Sequence, residues 1–267
     1  MRFFLETLKL NLKIYFYYKW NFIIPLLFDP VIVFFYNSLL ESIYRNTAGT
    51  LLLGYTYTHM IWNFASTKFF YSLVWSFPDT SISESIIRGE MVVRFARPVS
   101  IVVFELARAT AYKVCSVMLE FIPSFIVFSL IIFPDFLTLP AFLKYGLLTL
   151  LAFLLYFFIS FLVGTIAFLW KSINSIQTVK ILFTCIAAGT FIPIEFYPDI
   201  LQKIVRLLPF QYLHYIPIQF FLNKPETRAP GCFLETAGIM IIWILLFMML
   251  SGISWSITVK HYSTAGG

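Results

Sequence analysis

Residues 141–170 read AFLKYGLLTLLAFLLYFFISFLVGTIAFLW, thirty positions that carry a single charge, Lys144. A helix rises about 1.5 Å per residue and a bilayer's hydrocarbon core is about 30 Å thick, so about 20 apolar residues cross it. This run crosses with residues to spare. Comparable runs occupy 22–44, 51–75, 114–133, 176–192 and 233–257. They predict an all-α membrane protein with six transmembrane helices in one domain over residues 1–267. Composition agrees, with 60% hydrophobic and only 12% charged residues. A soluble domain carries ~25% charged residues, so this chain lacks the polar surface to coat a soluble core. A soluble enzyme, a coiled coil and a disordered chain are excluded, and the runs are too long for barrel strands that alternate over ~10 residues.

The segments between the runs set the organisation. In residues 1–20, Arg2, Glu6, Lys9 and Lys13 line one helical face and Leu5, Leu8, Leu12 and Phe16 another. This predicts an amphipathic helix lying flat on the inner leaflet, and its charges argue against a cleavable signal. Pro25, Asp29 and Pro30 predict a kink in the first span. Residues 100–133 are too long for one crossing and include Glu105, Arg108 and Lys113. They read as an interfacial helix, 100–113, feeding the third span. Residues 193–222 stay apolar but are cut by Pro193, Pro198, Pro209 and Pro217. Within them Asp199, Gln202, Lys203 and Arg206 share one face, and Leu201, Ile204, Val205 and Leu208 the other. At about 16 Å this piece covers half a bilayer, which predicts short re-entrant or interfacial outer helices. A seventh span broken by prolines is the alternative, and it would move the C-terminus outside.

Basic residues concentrate on the cytoplasmic side of membrane proteins. With both termini inside, twelve of the 19 Lys and Arg fall on inner segments and six on outer ones, with Lys68 inside a span. Four of the outer six, Lys203, Arg206, Lys224 and Arg228, lie between spans five and six.

No catalytic constellation is visible. The dipeptide Gly-Lys never occurs, so the chain holds no P-loop. The histidines His59, His214 and His261 form no HExxH, GxSxG is absent, and Cys115, Cys185 and Cys232 are far apart. No metal site, catalytic residue or cofactor is expected, and no basic cluster suggests nucleic acid. The informative stretch is the polar loop, residues 79–97, between spans two and three. Ser81 or Ser83 can cap a short helix running through Ile86 and Ile87 and breaking at Gly89. Such a protruding helix, charged by Glu84, Arg88 and Glu90 and joined to two spans, is what a motor subunit would grip.

Ile87-Arg88-Gly89-Glu90 followed by Arg97-Pro98 resembles the I-x-x-G-E…x-R-P signature of ABC-2 type transporter permeases. Gly189-Thr190-Phe191-Ile192-Pro193, then Leu208-Pro209-Phe210 and Tyr215-Ile216-Pro217, is similar to that family's outer-helix region. The terminal Gly266-Gly267 fits a branch whose members pair with a second, different permease. The resemblance covers essentially the whole chain. It implies an N-terminal elbow helix, six spans and a coupling loop contacting through Glu84, Ile86, Ile87, Arg88, Gly89 and Glu90. It also implies two copies of a P-loop nucleotide-binding subunit, which hold the ATP and Mg, and an export function in the cell (inner) membrane. A secondary transporter or channel without an ATPase partner is the alternative, and a membrane-embedded enzyme a more distant one. A secondary transporter would want an inverted repeat with paired broken helices, and the chain has one proline-broken region.

Polar residues inside the spans need a reason, since an intramembrane charge costs ~2.5–3.5 kcal/mol on insertion scales. Lys68 and Glu120 are expected at one depth and close enough to pair, as part of a substrate pathway or as an internal ion pair. Asp29 is either a pathway residue or interfacial. His59, Asn63 and Thr67 repeat every four residues, a stripe that lines a path or joins helices. Ser160 and Gly164 form a small-xxx-small pair suited to helix packing, and Trp75, Trp170 and Trp243 read as belt or packing residues.

Overall fold

The computed structural model describes residues 2–46, 53–95, 100–166 and 174–260. Arg97-Pro98, Trp170, the turn at 171–173 and Gly266-Gly267 lie outside the described residues. Among those described the chain is helical, with no β-strand. We label the helices α1 Arg2–Tyr17, α2 Trp20–Arg45, α3 Tyr57–Leu73, α4 Pro78–Ile87, α5 Met91–Phe95 and α6 Ile101–Ile131. There follow α7 Leu139–Thr165, α8 Asn174–Ala187, α9 Asp199–Leu207, α10 Tyr215–Phe221 and α11 Cys232–Lys260.

Among the described residues four helices, α2, α6, α7 and α11, are long and apolar enough to cross a membrane. Helix α3 has 17 residues and α8 has 14, so at ~1.5 Å per residue both fall short of a ~30 Å core as helices alone. Helix α7 is the centre of the bundle. It is 61% buried over its apolar window, against 17–28% for the other three, so those present their apolar faces outward. Leu27, Phe34 and Phe35 of α2, Leu130 of α6 and Leu245 of α11 are such exposed residues. Helix α11 is held to α7 by polar contacts of the kind that join helices in lipid. The Ser251 hydroxyl donates to the Phe158 carbonyl at 3.0 Å, and Thr165 Oγ1 lies 2.6 Å from Ser254 Oγ.

The two ends of α7 receive different partners. Near its start Tyr145 packs on Phe221 of α10, with ring centres 5.1 Å apart. Near its finish Gly164 backs directly onto α4. The nineteen steps from Tyr145 to Gly164 are about 28 Å of helix, one hydrocarbon thickness. The C-terminal end of α10 and the α4–α5 loop therefore lie toward opposite ends of α7.

Several elements differ from the sequence reading for local reasons. A 3-10 turn, Ile24–Phe28, interrupts α2 where Pro25 and Pro30 remove backbone donors. The segments read separately as 100–113 and 114–133 form one helix, α6. Its only proline, Pro123, is accommodated by a π turn at Val117–Phe121. Helix α4 begins at Pro78 rather than at Ser81 or Ser83. Proline suits the first helical position because its missing N–H has no partner there anyway, so both serines become interior and buried. Gly89, at φ +70°, ends the helix as expected. In α1 the residues turned toward the bundle include Thr7, Asn11 and Tyr15, whose ring meets Tyr112 of α6 at 5.4 Å, whereas Leu5 and Phe16 are exposed.

A Cβ on Gly164 would stand 2.9 Å from Asp79 Cα and 3.0 Å from Ile82 Cδ1. Backbone cannot retreat as a side chain can. Gly164→Val should therefore lower stability by about 1–3 kcal/mol, and Gly164→Ala by less. Thermal unfolding of the detergent-solubilised protein, followed by size-exclusion chromatography, checks this. Unchanged melting would show that α4 and α7 are not in tight contact.

Candidate functional site

The loop end is built around two buried carboxylates. Asp79, fully buried near the start of α4, accepts from Lys180 Nζ of α8 at 2.7 Å. The same ammonium donates to Ser160 Oγ of α7 at 3.1 Å and lies 5.2 Å from the centre of the Tyr156 ring. One residue on, Thr80 Oγ1 accepts from Gln177 Nε2 of α8 at 3.1 Å. Glu105, 1% exposed at the start of α6, gathers Arg94 at 2.6 Å, Arg108 at 3.1 Å and the Ser81 hydroxyl at 2.8 Å. Lys113 of α6 donates to the Ser72 and Tyr71 carbonyls at 2.9 and 3.3 Å, satisfying the otherwise open acceptors at the end of α3. Helices α4 and α5 are thus tied to α7 and α8 through Asp79 and to α6 through Glu105.

Beyond this clamp the loop projects. Glu84, Ile87, Arg88, Gly89 and Glu90 are exposed, as are Val92 and Val93, whereas Ile86 turns toward the core. Glu84 and Arg88 form a loose pair at 3.8 Å with both side chains more than half exposed. Such a pair contributes little to stability, which leaves both charges available to another surface.

Within the bundle, Lys68 of α3 pairs with the fully buried Asp29 of α2, not with Glu120. Glu120 lies in the π turn of α6 and accepts from Ser116 Oγ at 2.8 Å. Depth fixes a residue's level but not the side of the helix it occupies: the π turn packs on α3 at Phe69, through Phe121, while Lys68 reaches Asp29 of α2. The polar stripe on α3 is divided among partners. Thr67 donates to the Thr190 carbonyl at 2.9 Å, and Ser66 Oγ lies 3.0 Å from His214 Nε2. Asn63 is buried, and His59 opens into a cavity at the other end.

That cavity, of about 830 Å³, lies where α3, α10 and the start of α11 meet, and its lining includes His59, Glu195, Tyr215, Gln219, Lys224 and Arg228. Glu195 accepts from the Tyr215 hydroxyl at 2.6 Å and from the Tyr55 hydroxyl at 3.3 Å. Gln219 Nε2 in turn donates to the Tyr55 hydroxyl at 2.7 Å. The Lys224 ammonium sits 3.4 Å over the Tyr55 ring, within cation–π range, and bonds the Gly54 carbonyl. Burial pushes its pKa below the usual lysine value, while Glu195 and Glu226 pull it back.

The family described as ABC-2 family transporter protein matches residues 17–266. The chain belongs to the ABC-2 transporter family. No curated protein and no solved structure matches it significantly. As an ABC-2 protein it is a multi-pass membrane protein and a permease subunit of an ABC transporter.

Sequence reasoning found the exposed tip but not its anchorage. Asp79 and Glu105 bond to Lys180 and Arg94, 101 and 11 residues away, and no local pattern announces such pairs. The one available signal was a lysine, Lys180, in an apolar run. Glu195 was likewise a lone acid between prolines.

The Asp79–Lys180 pair should be destabilising to break but tolerable to remove. Lys180→Met leaves a buried, unpaired carboxylate and should cost about 3–5 kcal/mol, whereas Lys180→Met with Asp79→Leu should recover much of that. Chemical unfolding of the purified permease distinguishes the two. Equal losses in the single and double variants would mean that the charges are not each other's support.

Proposed function

We propose that this ABC-2 permease is the membrane subunit of an ATP-driven exporter whose separate nucleotide-binding subunits grip the α4–α5 tip. The observation that carries this reading is the combination of an exposed tip with a buried clamp. Glu84, Arg88 and Glu90 offer charge partners and Ile87, Val92 and Val93 apolar contacts, at the end of a body fixed to α6, α7 and α8. A pushing subunit needs both a handle and a rigid connection.

On this reading α2, α3, α6, α7, α8 and α11 are the six spans. Apolar flanks, Val74 to Phe77 after α3 and Ala188 to Ile192 after α8, support the two short ones, and local bilayer thinning accommodates the remaining mismatch. The loop end and both termini face the cytoplasm of the cell (inner) membrane, as the distribution of Lys and Arg favours. Helix α1 is the elbow on the inner leaflet, and α9 and α10 are the outer re-entrant helices. Residues 1–267 form a single transmembrane domain that pairs with a second, different permease. Two ATPase subunits supply ATP and Mg. The exposed apolar side of α9, Ile200, Ile204 and Leu207, beside Lys203 and Arg206, supports a position at the outer interface.

Gly89 adopts a left-handed conformation that a β-branched residue rarely takes. Gly89→Val and Glu90→Lys should each reduce co-purification of the nucleotide-binding subunit while leaving membrane insertion intact. Full retention of the complex by both variants would place the ATPase contact elsewhere.

A further inference from the structure

A second recess opens on the flank of the bundle, between α6 and α7, with a volume of about 440 Å³. Its size lies within the ~300–1,000 Å³ range of small-ligand sites. One wall runs from Lys113 through Val117 and Met118 to Phe121, and the other from Phe142 through Gly146 to Phe153. At ~1.5 Å per residue the walls are about 12 and 17 Å long, matching one leaflet's half of a ~30 Å hydrocarbon core.

Two features keep the groove open. The first wall includes the π turn at Val117–Phe121, which widens α6 at this level. In the second wall Gly146 contributes no side chain, and a Cβ there would meet nothing within 4 Å. The lining is mostly apolar: Thr110 and Lys113 stand at one end, and on the second wall Tyr145 and Thr149 are the polar members, the Thr149 hydroxyl being spent on the Tyr145 carbonyl. If Ile131 marks one edge of the hydrocarbon, about 20 residues of helix reach the other edge near residue 112. Lys113 is therefore at headgroup level. Its ammonium has three donors, and two are used on the Tyr71 and Ser72 carbonyls. Glu120 is not part of the lining; its carboxylate accepts from Ser116 and lies near enough to act electrostatically on Lys113, whose side chain is only 7% exposed.

We infer that this groove holds one acyl chain of an anionic membrane phospholipid, with the phosphate accepting the remaining Lys113 donor. The groove supplies length and apolar contact for a chain, and Lys113 supplies the charge preference. The inference needs only that the permease is membrane-embedded and holds whichever way it faces.

The test uses the full chain in vesicles of mixed phosphatidylglycerol and phosphatidylethanolamine. Each lipid is added in turn as a trace probe bearing a diazirine on the same acyl chain. After photolysis, labelling should concentrate on residues 114–121 and 142–153 and be stronger with the phosphatidylglycerol probe. Gly146→Phe and Met118→Trp fill the groove from opposite walls. Each should reduce that labelling to the level of the lipid-facing surface of residues 239–250. Lys113→Gln should abolish the preference for the anionic probe while chain labelling persists, and Lys113→Arg should keep both. Labelling spread evenly over all apolar faces, or unaffected by both filling variants, overturns the inference. So does a groove left unlabelled by lipid because a partner helix covers it. A preference that survives Lys113→Gln removes the assigned headgroup contact.

Discussion

A charge buried away from water must be paired, and the pairing of Asp79 with Lys180 is the constraint on which the loop end depends. Asp79 has no solvent exposure and Lys180 almost none. Breaking such a pair strands an ion at a cost of several kcal/mol, so the first turn of α4 cannot leave α8 without that penalty. Gly164 lets the two backbones approach closely enough for the pair to form. Ser160 then takes another of the lysine's donors and brings α7 into the same contact. A second buried carboxylate, Glu105, repeats the arrangement toward α6 with two arginines and Ser81. Between these two knots the tip has little freedom to swing relative to the helices behind it.

The opposite end uses different means. There a carboxylate, Glu195, is held by two tyrosine hydroxyls instead of a cation, and Lys224 rests on an aromatic face. These contacts are directional but leave an open cavity, whereas the loop end is closed by ion pairs. One end is therefore closed by ion pairs and the other encloses a cavity.

The broad outline was legible because it rests on composition and run length. Thirty residues with one charge leave few alternatives to a membrane helix, and α7 is that helix. The break at Gly89 and the amphipathic α9 followed from glycine conformation and from 3.6-residue periodicity. What was not legible depended on rotation and on long-range partners. Lys68 and Glu120 were expected at one depth, but Lys68 pairs with Asp29 of α2 and Glu120 accepts from Ser116 within its own helix. The start of α4 was misplaced because a first-turn proline was outweighed by two serines that fold inward. The clamp itself joins residues up to 101 positions apart, and such contacts exist only once the helices have packed.

The central claim is that the α4–α5 tip and the helices it is clamped to move as one body. The direct measurement is pulsed electron–electron resonance between spin labels at Ile87 and Leu147, both exposed, after replacement of Cys115, Cys185 and Cys232. The distance would be recorded in the assembled transporter with and without ATP. The account predicts the same narrow distance distribution in both states, and a broadened one when Lys180→Met removes the clamp. A distance that shifts with nucleotide in the intact protein would show that the tip moves independently and would contradict it.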